Sequence, residues 1–364
     1  HYNSMNLFFI PIIASIIYYY YFTNPNLNTK ETQIANDMAS QLSKKFIQNP
    51  TPFPTYFFSH GGPTFMYELD DFGNKGAWNT VKKIGNNIKK NWKPDYIIVI
   101  SAHWQSKGDN LIEIDCPRNN EENPLIYDFY GFPDHMYKEE FHSKNNLFIA
   151  NEIKKELEKN GFNSSLTNRG IDHGVWVPFK VAFSDYNTQS RPQPEVKGLD
   201  LPDTSVIQVS LTSRDGDFAK HFKLGEVLSK FRNELIWDES RQKYLSGLII
   251  CSGMSVHNLR DLGASFRQPK QIMPYVKPFN QLLTKTVEEN HGESLLQAFL
   301  ELKKNPLLRQ AHPTLEHFLP IVVAGGVASK SDDNIKEVYN DSMLSLGWGV
   351  YQVGQYNNNN SSKV

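Results

Sequence analysis

Six of the eleven histidines stand where an imidazole could do chemistry. Tyr56-Phe57-Phe58 runs into Ser59-His60-Gly61-Gly62-Pro63, and Tyr96-Ile97-Ile98-Val99-Ile100 runs into Ser101-Ala102-His103-Trp104. Leu248-Ile249-Ile250-Cys251-Ser252-Gly253 runs into Met254-Ser255-Val256-His257-Asn258. The other three are His173, which follows Asp172, and the pair in His312-Pro313-Thr314-Leu315-Glu316-His317. Neutral imidazole is the commonest metal ligand and suits Zn²⁺ and Fe²⁺ alike. Two ligands from neighbouring strand ends and one from elsewhere give a three-ligand site that keeps positions open for water, substrate or dioxygen. The expectation is therefore a mononuclear metal site of the non-haem iron or zinc kind, with His60 and His103 as the strand-end pair.

For the third ligand the residues leave His312, Glu316 and His317 open. His312 precedes Pro313 and should be extended, outside any helix. Pro313 suits a first helical turn, which would put Glu316 and His317 inside the helix start. Glu316 in that position could equally be a carboxylate that favours the helix dipole. His257 follows a strand, as an acid–base residue lining a cleft would, and an imidazole can take and return a proton near neutral pH. Asp172 beside His173 suggests a carboxylate that fixes the imidazole's tautomer. Tyr127, Tyr130 and Trp104 could wall a flat substrate or simply fill the core. His1, His135, His142, His221 and His291 lie in polar or amphipathic surroundings and read as surface or filler.

The elements that would carry these residues alternate between apolar strands and amphipathic helices, which points to an α/β fold. The expected architecture is a single domain with a central, mostly parallel or mixed sheet flanked by helices, and the metal site at the strand ends. Helical spacing spans residues 76–92, 138–160 and 217–236, with two helices within 276–305 and another opening at 312 and closing at Gly325-Gly326. Residues 1–51 read as an apolar leader and polar spacer, 52–354 as the catalytic domain, and 355–364 as a disordered tail. Residues 7–22 are apolar and uncharged but shorter than a usual spanning segment, so a membrane anchor, a cleaved signal and a leader with neither role all remain open. The domain itself is of a cytoplasmic type, with membrane association only through residues 7–22. Residues 185–203 are Pro-rich and polar, an insertion or long loop.

The 364-residue chain carries 38 basic and 39 acidic residues, a formal net charge of -1. With no basic run, the nucleic-acid-binding classes are excluded. The two cysteines, Cys116 and Cys251, cannot build a disulfide framework or a thiolate zinc cluster, so a metal must use His and carboxylate. Gly61-Gly62 lacks the later glycine and helix of a dinucleotide turn, and there is no P-loop.

Five motifs occur in order: Ser59-His60-Gly61-Gly62-Pro63, Ser101-Ala102-His103-Trp104, Gly170-Ile171-Asp172-His173-Gly174-Val175-Trp176-Val177-Pro178, Gly253-Met254-Ser255-Val256-His257-Asn258-Leu259-Arg260, and His312-Pro313-Thr314-Leu315-Glu316-His317-Phe318-Leu319-Pro320. Together they resemble the class III extradiol ring-cleavage dioxygenases, and the DOPA 4,5-dioxygenase branch in particular. The resemblance implies metal ligands at His60, His103 and His317, acid–base duty for His257 and a substrate-facing role for His173. Asp172, His312, Trp104 and Tyr130 are expected around the metal or against substrate. It implies Fe²⁺ for the oxygenase chemistry, with Zn²⁺ able to occupy the same site, and a small aromatic diol and O2 as partners. The chain departs from the compact members in its apolar N-terminus, its 185–203 insertion, and Gly62 where a serine is frequent. Two other readings share the ligands: a zinc hydrolase in which His257 activates water, and a non-catalytic metal-binding protein tethered to a membrane.

Overall fold

The computed structural model describes residues 19, 29–42, 44–118, 122–185, 198–267 and 271–356. Apart from Tyr19, the apolar stretch 7–22 lies outside the described residues, as do 186–197 of the insertion and 357–364 of the tail. Among the described residues no helix is long and apolar enough to cross a membrane.

An eight-stranded mixed sheet forms the centre. Its strands in chain order are β1 (Thr55–Ser59), β2 (Tyr96–Gln105), β3 (Leu111–Asp115), β4 (Asn163–Thr167), β5 (Ser205–Leu211), β6 (Gly247–Gly253), β7 (Ile335–Tyr339) and β8 (Val350–Val353). Across the sheet they lie in the order β7-β8-β1-β6-β2-β5-β3-β4. The four central strands, β1, β6, β2 and β5, are mutually parallel, while β8 and β7 add an antiparallel edge. Parallel strands covered on both faces read as continuous apolar runs, as β1, β2 and β6 do. Their alternate residues serve two cores. Phe57, Ile98, Ile100, Ile249 and Cys251 face one. Tyr56, Phe58, Ile97, Val99, Leu248 and Ile250 face the other.

Helices α1 (Lys75–Asn86) and α3 (His173–Phe183) cover the second face, and α2 (Leu147–Lys159), α4 (Phe218–Leu228), α5 (Val276–Glu289) and α6 (Leu319–Ser329) cover the first. The α/β architecture with a mixed central sheet is the one expected. Several boundaries differ. The helix expected from 138 starts only at Leu147, because Asn146 caps it by accepting the Ile149 N–H. The expected helix over 217–236 breaks into α4 and a single helical turn at Lys230–Asn233, and Glu234–Asp238 becomes a strand. That strand pairs with Phe46–Gln48, so the end of the supposed spacer is built into a small second sheet. Gly325-Gly326 do not end α6, which runs through them to Ser329. They let it touch α4 backbone to backbone: a Cβ on Gly326 would sit 1.9 Å from the Phe222 carbonyl, and one on Gly225 1.9 Å from that of Val323.

Candidate metal centre

The end of β1, the last residues of β2 and the turn before α6 bring His60, His103 and His317 together. His60 follows β1 directly, and its backbone N–H donates to Gly253 O at the end of β6. Gly61 turns the chain away at φ +60, where a Cβ would fall 2.2 Å from the buried Trp348 ring, so only glycine fits. His103 lies inside β2, where the ladder to β5 loses register between Ile100 and Gln105. Such irregularities re-aim side chains at sheet ends. His317 sits in the turn before α6 and not within a helix opened at Pro313 as expected. Pro320 is the proline that occupies the first helical turn. Met254 N–H donates to His317 O, and a Cβ on Gly253 would be 2.3 Å from that oxygen. One strand end, β6, thus fixes both His60 and His317.

The Nε2 atoms of His60 and His103 are 3.1 Å apart, and those of His103 and His317 3.3 Å apart. With metal–nitrogen bonds of about 2.0–2.1 Å, nitrogens that share one ion lie about 3 Å from one another. The opposite ring nitrogens face polar partners. His60 Nδ1 is 2.8 Å from Ser252 Oγ, His317 Nδ1 is 3.2 Å from Glu316 Oε1, and His103 Nδ1 is 3.6 Å from Asp128 Oδ2. A carboxylate can only accept, so the proton of His317 belongs on Nδ1 and its Nε2 presents a lone pair. Converging lone pairs repel unless a cation lies between them, so this donor set fits a divalent ion held by His60, His103 and His317. Glu316 stands behind His317 and also accepts from Thr314 Oγ1 at 3.0 Å. Potential ligand atoms of His60, His103 and His173 lie within 4.8 Å of one another, as do those of His257, Glu316 and His317.

Burial favours the neutral imidazole throughout. Desolvation, with neighbouring histidines adding to it, holds His60 and His317 well below the ordinary value. Burial and then His173 push His103 down to about 4, and burial and then His312 push His257 down to about 3. These rings are therefore uncharged and able to donate lone pairs near neutral pH.

His257 stacks on His317 with ring centroids 3.6 Å apart and planes 9° from parallel. Among the described residues no hydrogen bond engages either of its ring nitrogens. His173, the first residue of α3, flanks the other side, 4.1 Å from the His103 ring and 6.0 Å from the His60 ring. The expected Asp172–His173 pairing is corrected. Asp172 caps α3 and is fully buried, where Ser101 Oγ, Arg169 and Gln208 all donate to it. Its carboxylate serves the Arg169–β2 junction.

The partner of His173 is Asp128, a carboxylate between Tyr127 and Phe129 that the sequence reading did not single out. Its Oδ1 accepts the His173 backbone N–H at 2.9 Å and lies 2.8 Å from Nδ1, off the ideal hydrogen-bond direction. Burial pushes the Asp128 carboxyl up, but its contacts with His173 outweigh that and bring it down to about 2.

Tyr130 is 88% exposed, so it forms no wall of the site. The aromatic neighbours on that side are Phe129, edge-on to His173 at 5.6 Å, and Phe132, whose ring tip would be 4.0 Å from a Cβ on Gly62. Trp104 is buried under the Arg169 guanidinium, 4.5 Å above its ring, and the same Arg169 donates to His103 O. Trp104 therefore props His103 from behind. Tyr127 packs on Trp176 and donates to Glu139 O, a core role. His312 is buried between Phe279 and Phe318 and shares a hydrogen bond with Ser255 O at 2.9 Å, so it stays outside the converging set. His221 lies away from the centre, its ring nitrogens against Thr212 Oγ1 and Asp217 O.

The converging histidines, at the C-terminal end of a parallel-centred sheet and flanked by further imidazoles and aromatic side chains, form a candidate metal centre. The family model described as the catalytic LigB subunit of aromatic ring-opening dioxygenase matches residues 54–353, and the chain belongs to that family. It is 31% identical over 293 residues to a 4,5-DOPA dioxygenase extradiol-like protein of Schizosaccharomyces pombe, covering 78% of this chain and 87% of that one. It is 30% identical to a 4,5-DOPA dioxygenase extradiol of Beta vulgaris, covering 80% of this chain and 94% of that one. A crystal structure of an uncharacterized protein from Escherichia coli shares the fold, with a TM-score of 0.59, 20% identity, and coverage of 83% of this chain and 99% of that one.

Proposed function

We propose that the protein cleaves the ring of a catechol next to one hydroxyl and inserts both atoms of O2, yielding a muconic semialdehyde-type product. The substrate class is DOPA or a related aromatic diol, the kind named for the relatives from Schizosaccharomyces pombe and Beta vulgaris. The observation that carries the reading is the convergence of the His60, His103 and His317 Nε2 atoms, with separations of 3.1 and 3.3 Å, between two further histidines. Bound at those three nitrogens, Fe²⁺ would acidify the diol and link it electronically to O2, whereas Zn²⁺ there would supply only Lewis acidity.

The chain's own groups supply the rest. Among the described residues no hydrogen bond engages the His257 ring nitrogens, and stacking on His317 fixes its plane, so it accepts a proton from a diol hydroxyl and returns it when the ring opens. His173, oriented by Asp128, donates a hydrogen bond to the substrate or to oxygen from the opposite side. Phe129 and Phe132 give that side an apolar lining against which a flat ring could pack.

The test is to load the metal-free protein with Fe²⁺ under anaerobic conditions, add a catechol panel that includes DOPA, and admit oxygen. One O2 consumed per catechol with a yellow product supports the reading. No oxygen uptake across the panel overturns it, and oxygen-independent ester or amide hydrolysis with Zn²⁺ would favour the hydrolase instead.

A further inference from the structure

Helix α3 carries Pro178 in its interior, and a proline there has no N–H for the carbonyl four residues back. That carbonyl belongs to Gly174. It is buried, and in a regular helix it would be left without a donor. Here Ser252 Oγ, at the end of β6, donates to it at 2.5 Å. A carbonyl oxygen can only accept, so the single hydroxyl proton of Ser252 is committed to Gly174. The same Oγ lies 2.8 Å from His60 Nδ1 and has only lone pairs left to offer.

We infer that Pro178, through the Gly174 carbonyl and Ser252, locks His60 in the tautomer with Nδ1 protonated and Nε2 free, making Ser252 and Pro178 positioning residues for the metal ligand. Pro178 is more than 100 residues from His60 in sequence, and the Gly174 carbonyl and Ser252 link the two. Gly174 must be glycine for the relay to close. A Cβ there would fall 2.3 Å from Ser101 Oγ and 2.8 Å from His103 Cδ2, so the same residue also seats the neighbouring ligand. Restoring an N–H at position 178 would give Gly174 O a helical donor. Ser252 could then turn its proton toward His60 Nδ1 and favour the tautomer with Nε2 protonated, which cannot bind metal. The inference rests on His60 being a metal ligand, as proposed above.

The test uses the full chain and measures two quantities that need no turnover: Zn²⁺ affinity by competition with a chromophoric chelator, and the melting temperature of the metal-free protein. Ser252→Ala should weaken Zn²⁺ binding about 10- to 100-fold, as loss of a group orienting a ligating histidine does. Pro178→Ala should also weaken binding while the metal-free melting temperature stays level or rises, since the helix gains a hydrogen bond. The double variant should melt higher than Ser252→Ala alone, because the backbone N–H restored in the helix now serves Gly174, yet bind Zn²⁺ no better than Ser252→Ala. Wild-type affinity in Pro178→Ala overturns the relay from the proline, and wild-type affinity in Ser252→Ala overturns it entirely. A wild-type protein that binds no Zn²⁺ removes the metal-site reading itself, a result distinct from either.

Discussion

Lowering the pH from about 7.5 to about 5.5 should cost the metal-free protein most of its stability. The cause is the burial of five histidines in and around one site: His60, His103, His257, His312 and His317. All five are held below the ordinary value of 6.5 chiefly by desolvation: His103 to about 4, His257 to about 3, His312 to about 4, and His60 and His317 well below it. The unfolded chain takes up a proton at each near 6.5, whereas the folded chain does not until the pH is far lower. Protons therefore favour unfolding, and stability is intact above 6.5 and falls as the pH drops toward the folded values.

One unit below the unfolded value a histidine that stays neutral in the fold contributes RT ln 11, roughly 1 kcal/mol, so five together contribute several kcal/mol. The net stability of a domain is about 5–15 kcal/mol, so a loss of that size is decisive. Urea denaturation in the presence of chelator at the two pH values and at neutrality measures it. The midpoint should fall steeply with an unchanged slope. Protein saturated with metal should resist to lower pH, because the ion binds only the folded arrangement of nitrogens. A stability of the metal-free protein that moves by less than about 1 kcal/mol over this range would refute the reasoning.

Replacing His257 by Gln should leave metal content intact and lower kcat about 10²- to 10⁴-fold, the usual share of an acid–base group; loss of metal would show that it is a ligand instead. Asp128→Asn should lower kcat about 10- to 100-fold with metal retained, through misorientation of His173. Because the Asp128 carboxyl is held down to about 2, it should add no ionisation to a pH–rate profile above pH 4, so an acidic limb in that range lost in the variant would contradict its assignment. Gly61→Ala puts a left-handed alanine into the Trp348 ring and should destabilise the fold by about 2–4 kcal/mol by denaturant titration.

The parallel core and the gathering of histidines at its strand ends were legible because apolar runs that stop on a polar residue have few other uses. What escaped the sequence were the partners of those histidines. Asp128 meets His173 across 45 residues, from a loop whose aromatic composition masks a single carboxylate. Asp172, adjacent in sequence, points the other way because the helix it caps needs its side chain. Ser252 reads as the polar tail of an apolar strand, and its role depends on a proline in a helix that only the fold brings near. Gly325-Gly326 misled as a helix end because glycine both stops helices and lets them touch, and only the facing α4 backbone decides between the two. Tyr130 was drawn toward the site by the company of its neighbours, while the loop turns its ring to solvent.

The central claim is that His60, His103 and His317 hold one divalent ion while His257 and His173 stand beside it without holding it. Elemental analysis of the wild-type protein and the five single His→Ala variants, each reconstituted with Fe²⁺ under anaerobic conditions and desalted, tests it directly. The account predicts about one iron per chain in the wild type and in the His257 and His173 variants, and almost none when His60, His103 or His317 is removed. Full occupancy after loss of any of those three, or loss of iron with His257 or His173, would contradict it.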